Sequence, residues 1–226
     1  MPPSFVDIPL NTMLADLDTA LRQLLEAELV RHGFGAANVV FDAPTRDWAA
    51  TLSAPTVSLF LYDLCEASGH RTVEWQPRRV DGTLREQRPP LRLEASYAVT
   101  AFTQRVEDEH RLLSQVIGIL YAYPALPSEV LSGTLLDVCG DDPPETALAQ
   151  ARAERRVEFW SAIGGQYKPS VDYSVVVPFP SGRSVERGTP VKTRLLRAQV
   201  NDASVEEQDR VIRGRQAELS EVHPGR

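Results

Sequence analysis

Cysteine is nearly absent from this chain: Cys65 and Cys139 are the only two in 226 residues. Neither sits in a C-x-x-C or Cys/His spacing, which excludes a disulfide framework and a thiolate zinc site. A reducing compartment is the expected home. Positive charge is not in excess either. The formal net charge is −7, so a basic nucleic-acid face is not expected. Lysine is scarce, with 2 against 22 arginines; coding bias alone can produce that. No apolar run is long. The stretch Val116–Leu126 is broken by Gly118 and Pro124 and falls short of the ~20 residues that span a bilayer, so no membrane insertion is expected. The opening "MPPSFVDIPLN" lacks a basic region before an apolar core, so no secretory signal is expected there. G-x-S-x-G, G-x-x-x-x-G-K-[ST] and G-x-G-x-x-G are all missing, which removes the common nucleophile-elbow and phosphate-loop readings. No cofactor or metal is expected.

What is present is ordinary globular composition, 42% hydrophobic and 24% charged, in a chain long enough to bury a full core. Leu14, Leu17, Leu21, Leu24 and Leu25 recur at helical spacing and predict a helix from Thr12 to His32, stopped by Gly33. A short strand is expected at Asn38–Asp42. Val57–Asp63 reads as an inner strand, with Val57, Leu59 and Leu61 on one face and Ser58, Phe60 and Tyr62 on the other. Asp63 is its expected polar exit and Cys65 a small packed side chain.

Arg71–Gln76 reads as a strand and Asp81–Gly82 as a turn. Pro77 and Pro89–Pro90 argue for a projecting, partly irregular hairpin rather than a fully paired one. Leu91–Phe102 alternates and predicts a long antiparallel strand buried on one face. A second helix is expected over Glu107–Tyr123, with Leu112, Leu113, Val116, Ile117 and Leu120 inward and acids in its first turn. Pro127–Leu131 reads as one helical turn, Asp141–Pro144 as a loop, Glu154–Ile163 as a short helix and Ser170–Pro178 as a strand. A strand over 191–200 and then a charged helix or disordered tail complete the chain. The fold class is therefore α+β, an α/β sandwich. It has a four- to five-stranded mixed or antiparallel sheet packed by two long helices, with a main domain over 1–180 and an extension over 181–226.

Chemistry is thin. Glu107, Asp108 and His110 are the best acid–base or metal set, but no second histidine stands at a ligand spacing. A helix N-terminus is reason enough for the acids. The hairpin region carries more signal. Arg71, Arg78, Arg79, Arg85, Arg88 and Arg92 meet only Glu74, Asp81 and Glu86, a surplus of three positive charges on an acidic chain. It reads either as a solvated loop or as an arm whose guanidinium forks, with Trp75, contact an acidic neighbour. Trp160, in "FWSAIGG", is either a core anchor or an interface residue.

Taken in order, "MLADLDTALRQLLEAEL", "PTVSLFLYDL", "PPLRLEASYAVTAF", "DEHRLLSQVIGIL", "LPSEVL" and "EFWSAIGGQYKPSVDYSVVVP" carry a further signal. The chain from Thr12 to Pro178 resembles the N-terminal domain of tail-terminator, or cap, proteins of contractile injection systems. Those are the phage-tail-like particles of antifeeding-prophage and virulence-cassette type. The resemblance implies a phage tail-terminator fold and a structural role without catalysis. It implies a homo-oligomer, a six-fold ring on the distal end of the tube and sheath that stops their polymerisation. Sheath and tube subunits are then the partners, and an extended sheath arm could join an unpaired strand edge. Synthesis and assembly are expected in the cytoplasm, with an extracellular stage where the particle is released. Arg71, Trp75, Arg78, Arg79, Arg85, Arg88 and Trp160 are the candidate contact residues. The alternatives are another tail-completion or connector module, or a hydrolase using Glu107, Asp108 and His110.

Overall fold

The computed structural model describes residues 11–70, 75–80, 83–140, 142–148, 156–180 and 184–186. Five helices are described: α1 (Met13–Arg31), α2 (Arg46–Ala50), α3 (Val106–Ala122), α4 (Gly133–Cys139) and α5 (Arg156–Ala162). The strands are β1 (Asn38–Val40), β2 (Thr56–Glu66), β3 (Gln76–Val80), β4 (Thr83–Gln87), β5 (Leu91–Phe102), β6 (Glu145–Leu148), β7 (Val171–Phe179) and β8 (Ser184–Glu186). They fall into two compact units. The larger draws on Met1–Gln76 and Gln87–Ser184, the smaller on Pro77–Glu86 and Val185–Arg226.

The larger unit is built on a five-stranded sheet of order β1-β2-β5-β7-β6. It is mixed: β1 runs parallel to β2, and every other pairing is antiparallel. The leucine stripe of α1 and the inner face of α3 meet one side of this sheet. Leu17, Leu21, Leu25, Leu112, Val116 and Leu120 join Val57, Leu59, Tyr97, Val99, Tyr173 and Val175 in one buried cluster. At roughly 1.5–3 kcal/mol for each large side chain removed from water, this cluster is the main source of stability.

The other side of the sheet is covered too, which corrects the expectation that β5 is buried on one face only. Ser96, Ala98, Thr100 and Phe102 are as buried as the core-facing residues between them. The cover comes from two short helices. Trp48 of α2 stands edge-on to Phe102, 5.3 Å between centroids. Phe159 of α5 packs on Phe60 and Tyr62 at 5.9 and 5.4 Å. The domain thus has helices on both faces of the sheet.

The strand that begins at Thr56 also departs from expectation. It does not end at Asp63 but runs on to Glu66, through a register shift between Leu61 and Asp63. Tyr62 is the extra residue of a bulge. Leu61 stays opposite Tyr97 on the core face, while Asp63 falls opposite Ser96 on the second face. The bulge swaps the faces, so alternation alone misreads everything beyond it. Cys65, opposite Glu94, is half-buried.

In the smaller unit β3, β4 and β8 form a sheet in the order β3-β4-β8. β3 and β4 are therefore hydrogen-bonded neighbours on either side of residues 81–82, which lie outside the described residues; a projecting, partly irregular hairpin was expected here. Pro77 lies on β3, an edge strand, where a missing N–H need cost no ladder bond. Pro89 and Pro90 fall after β4 has ended. Strand β8 lies within the extension expected over 181–226; the strand expected over 191–200 and the charged tail lie outside the described residues.

Inside the core, the Tyr97 hydroxyl donates to Asp18 Oδ1 at 2.9 Å. Burial raises the Asp18 carboxyl above its ordinary value, against the opposing pull of that hydrogen bond and of the Arg22 charge. Burial, then the Asp18 charge, raises the Tyr97 hydroxyl as well, so it stays the donor. The folded chain thus holds the Asp18 proton more tightly than the unfolded chain. The stability this contributes is full below the unfolded carboxyl's 3.8 and is lost as pH rises through the folded value. Asp18→Asn keeps an acceptor and removes the charge. Denaturant titration across pH should find the variant at least as stable as the wild type at pH 7, with a flatter pH profile above pH 3.8. A variant clearly less stable at pH 7 would contradict this account.

Candidate assembly surfaces

The arginine-rich region divides between the two units. Arg78 and Arg79 lie on β3 and Arg85 on β4, in the smaller unit. Trp75 and Arg88 flank the hairpin in the larger unit, and both are exposed, Trp75 at 38%. Arg71 lies outside the described residues. Three of the arginines thus fall on neighbouring strands of the β3-β4-β8 sheet.

Trp160 is elsewhere and is 2% exposed. It lies edge-on to Phe159 at 5.5 Å and close against the backbone of Gly165. Placed so, it supports the surface of α5 from beneath and offers no ring to a neighbour.

The acid–base set does not assemble into a site. Glu107, Asp108 and His110 are all exposed on the first turns of α3. Glu107 approaches Arg105 at 3.8 Å and Asp108 approaches Arg111 at 3.4 Å, both exposed pairs of small energetic weight. The buried carboxylate of this helix is instead Glu109, which is ion-paired with Lys168. The Lys168 ammonium also stands 4.4 Å above the Phe102 ring. This pair ties the segment after α5 to the start of α3. Burial pushes the Cys139 thiol up to about 11, so it stays protonated and is a poor nucleophile at neutral pH. Among the described residues no group of three His, Cys, Asp or Glu could hold a metal ion.

A feature the sequence reading missed lies at the start of α3. A groove of about 960 Å³ opens between the loop after α1, helix α2 and the end of β5. Phe34, Ala37, Ala49 and Leu52 contribute to its apolar lining, with Phe102 and Leu112. Four cations, Arg46, Arg105, Arg111 and Lys168, line it with a single acid, Asp108. These residues lie in four separate stretches of chain, so no local pattern announces them.

The open edges of the main sheet are short. β1 is three residues long, and the Val39 carbonyl on it accepts from Arg22 Nε at 3.4 Å. β6 is four residues long, and its outer side is partly occupied. Thr146 N donates to the Pro124 carbonyl and Leu126 N to the Pro144 carbonyl, both at 2.9 Å. Short, partly covered edges discourage indiscriminate strand pairing.

Comparison with known proteins places this architecture. Residues 16–194 match the model of the Pvc16 N-terminal domain family. Among solved structures, the sheet and its helices resemble the sheath/tube terminator of an extracellular contractile injection system, PVC, in its extended state. The TM-score is 0.61 at 23% identity, over 89% of this chain and 67% of that one. They also resemble the tube-terminating cap of the anti-feeding prophage, with a TM-score of 0.60 at 23% identity, over 81% of this chain and 61% of that one. This chain thus spans about two-thirds of the length of those terminators. No curated protein matches it significantly. The match runs from the first turns of α1 through β8, the whole of the described fold, and the chain belongs to the Pvc16 N-terminal domain family.

Proposed function

We propose that this chain is the cap of a contractile injection system: it seats on the distal end of the sheath and tube and ends their polymerisation. The observation that carries this reading is the family match over residues 16–194, joined to a fold shared with two proteins of that role. The surface fits it. The described residues offer a cation-lined groove, an arginine-bearing hairpin and short sheet edges, and Glu107, Asp108 and His110 stand solvated on α3. The cap is a closed ring of six copies whose contacts are completed on the particle end, so the isolated chain associates weakly and only at high concentration. Sheath and tube subunits are its partners, assembled in the cytoplasm and carried outside when the particle is released.

Deleting the gene is the direct test. Electron microscopy of the deletion strain should show sheath–tube particles of uncontrolled length, or none. A length distribution equal to the wild type would overturn the reading.

A further inference from the structure

The cation-lined groove at the start of α3 has a complement elsewhere on the same chain. Residues 112–151 hold five carboxylates and no lysine, arginine or histidine. Within that stretch, the segment leading from α4 into β6 exposes Asp137, Asp142 and Glu145. Asp142 is paired with Arg92 at 2.7 Å and Glu145 stands 3.9 Å from His70, both at the surface, so the patch keeps a negative surplus led by Asp137. It exposes apolar side chains beside them: Leu136 is 43% exposed, and Pro143 stands out next to Asp142. An apolar knob flanked by acids is the chemistry that an apolar groove flanked by cations would receive. The groove's volume lies in the range of well-formed binding clefts, roughly 300–1,000 Å³. Arg105 and Arg111 are available at the rim, because their internal pairs with Glu107 and Asp108 are long and exposed, whereas Lys168 is committed to the buried Glu109. Arg46 makes no ion pair among the described residues.

Position excludes an encounter within one chain. Phe102, in the groove, pairs with Thr56 at one end of the sheet, on the β1 side. Glu145, by the acidic segment, pairs with Val176 at the opposite edge, and Val176 faces Glu94 toward the other end. Patches at opposite edges and opposite ends meet only between copies, head to tail. Such a contact is heterologous, and repeated around an axis it closes into a ring or opens into a filament.

We infer that the groove of one copy, rimmed by Arg46, Arg105 and Arg111, receives the exposed surface formed by Leu136–Asp137 and Asp142–Glu145 of the next copy. This deepens the cap reading by naming the contact between copies.

The test is sedimentation velocity of the full-length protein at high concentration. It is run at about 20 mM and about 500 mM salt, where screening differs strongly. One variant reverses the groove (Arg46→Glu with Arg111→Glu) and another reverses the segment (Asp137→Arg with Asp142→Arg). Wild-type association at low salt should weaken at high salt. Each variant alone should associate at least about ten-fold more weakly. An equimolar mixture should recover near-wild-type association, because each reversed patch then meets its complement and the variants alternate. Misfolding cannot produce that recovery. Where circular dichroism shows a reversal unfolded, Arg→Gln and Asp→Asn at the same positions replace it, each expected to weaken association alone. A wild type that does not associate, variants that associate normally, or a mixture no heavier than its components overturns the inference. The readout is independent of the particle. Recovery in the mixture beside normal particle lengths in the deletion strain would keep this contact and remove the cap.

Discussion

Trp160→Ala should destabilise the larger unit by about 3–5 kcal/mol, the range for removing a large aromatic from a packed site. At 2% exposure the indole has little solvent contact to lose and a full set of neighbours to leave empty. Its ring lies so close to Gly165 that a Cβ added there would come within 2.7 Å of it. Next to it, Phe159 bridges to Phe60 and Tyr62 on the second face of the sheet. Losing Trp160 loosens α5, and α5 helps keep that face dry. Thermal unfolding should move down by about 10 °C for a domain of this size. The experiment also decides between two roles. A contact residue would lose ring formation at unchanged stability, and that outcome would refute the anchor reading.

Gly133→Ala should cost about 3 kcal/mol, from two causes at one position. Gly133 opens α4 at φ +56°, where a Cβ costs roughly 1–2 kcal/mol. That Cβ would also fall 2.6 Å from Asp16 Oδ2. Asp16 cannot simply retreat, because the same oxygen accepts from Thr134 N at 2.8 Å and from the Thr12 hydroxyl at 2.7 Å. It serves as the N-terminal cap of α4, and losing a cap costs about 1 kcal/mol. Gly140 is the internal control. It has φ +53° and nothing within 4 Å of an added Cβ, so Gly140→Ala should show the backbone cost alone. In Asp16→Ala the clash is relieved in advance. The double variant should therefore be more stable than the sum of the two single losses indicates. Equilibrium urea unfolding of the four proteins checks this, and strict additivity would show that the contact carries no weight.

These two residues mark where the sequence stops being readable. Gly133 in "LSGTLLDVC" reads locally as a loop glycine, and α4 was not anticipated. Its cap comes from Asp16, 118 positions away from Thr134. β6 was likewise invisible: Glu145–Leu148 has no strand pattern, and it is a strand because β7 binds one side and Pro124–Leu126 part of the other. α2, by contrast, carries a local signal in the sequence. Thr45 Oγ accepts from Trp48 N at 3.2 Å, a local cap three residues before the aromatic.

The long elements were legible. α1, α3, β5 and β7 stand within about two residues of where periodicity put them, and the faces the pattern named do meet the core, although β5 is buried on its second face as well. The groove was not legible, because Arg46, Arg105, Arg111 and Lys168 meet only when α2, α3 and the segment after α5 converge on the end of β5. Nor was the fate of Trp160, since a tryptophan on a short amphipathic helix looks the same whether it faces a sheet or a partner.

The sequence by itself determined which segments are helix and strand wherever a side-chain period ran for ten residues or more, and it set the chain's charge and its family resemblance. The tertiary structure alone decided α4 and β6, the bulge at Tyr62 and the surfaces available to a partner. The physical reason is range. Periodicity and capping act over one or two turns of chain, whereas α4, β6 and the groove are held by groups up to a hundred and more residues apart.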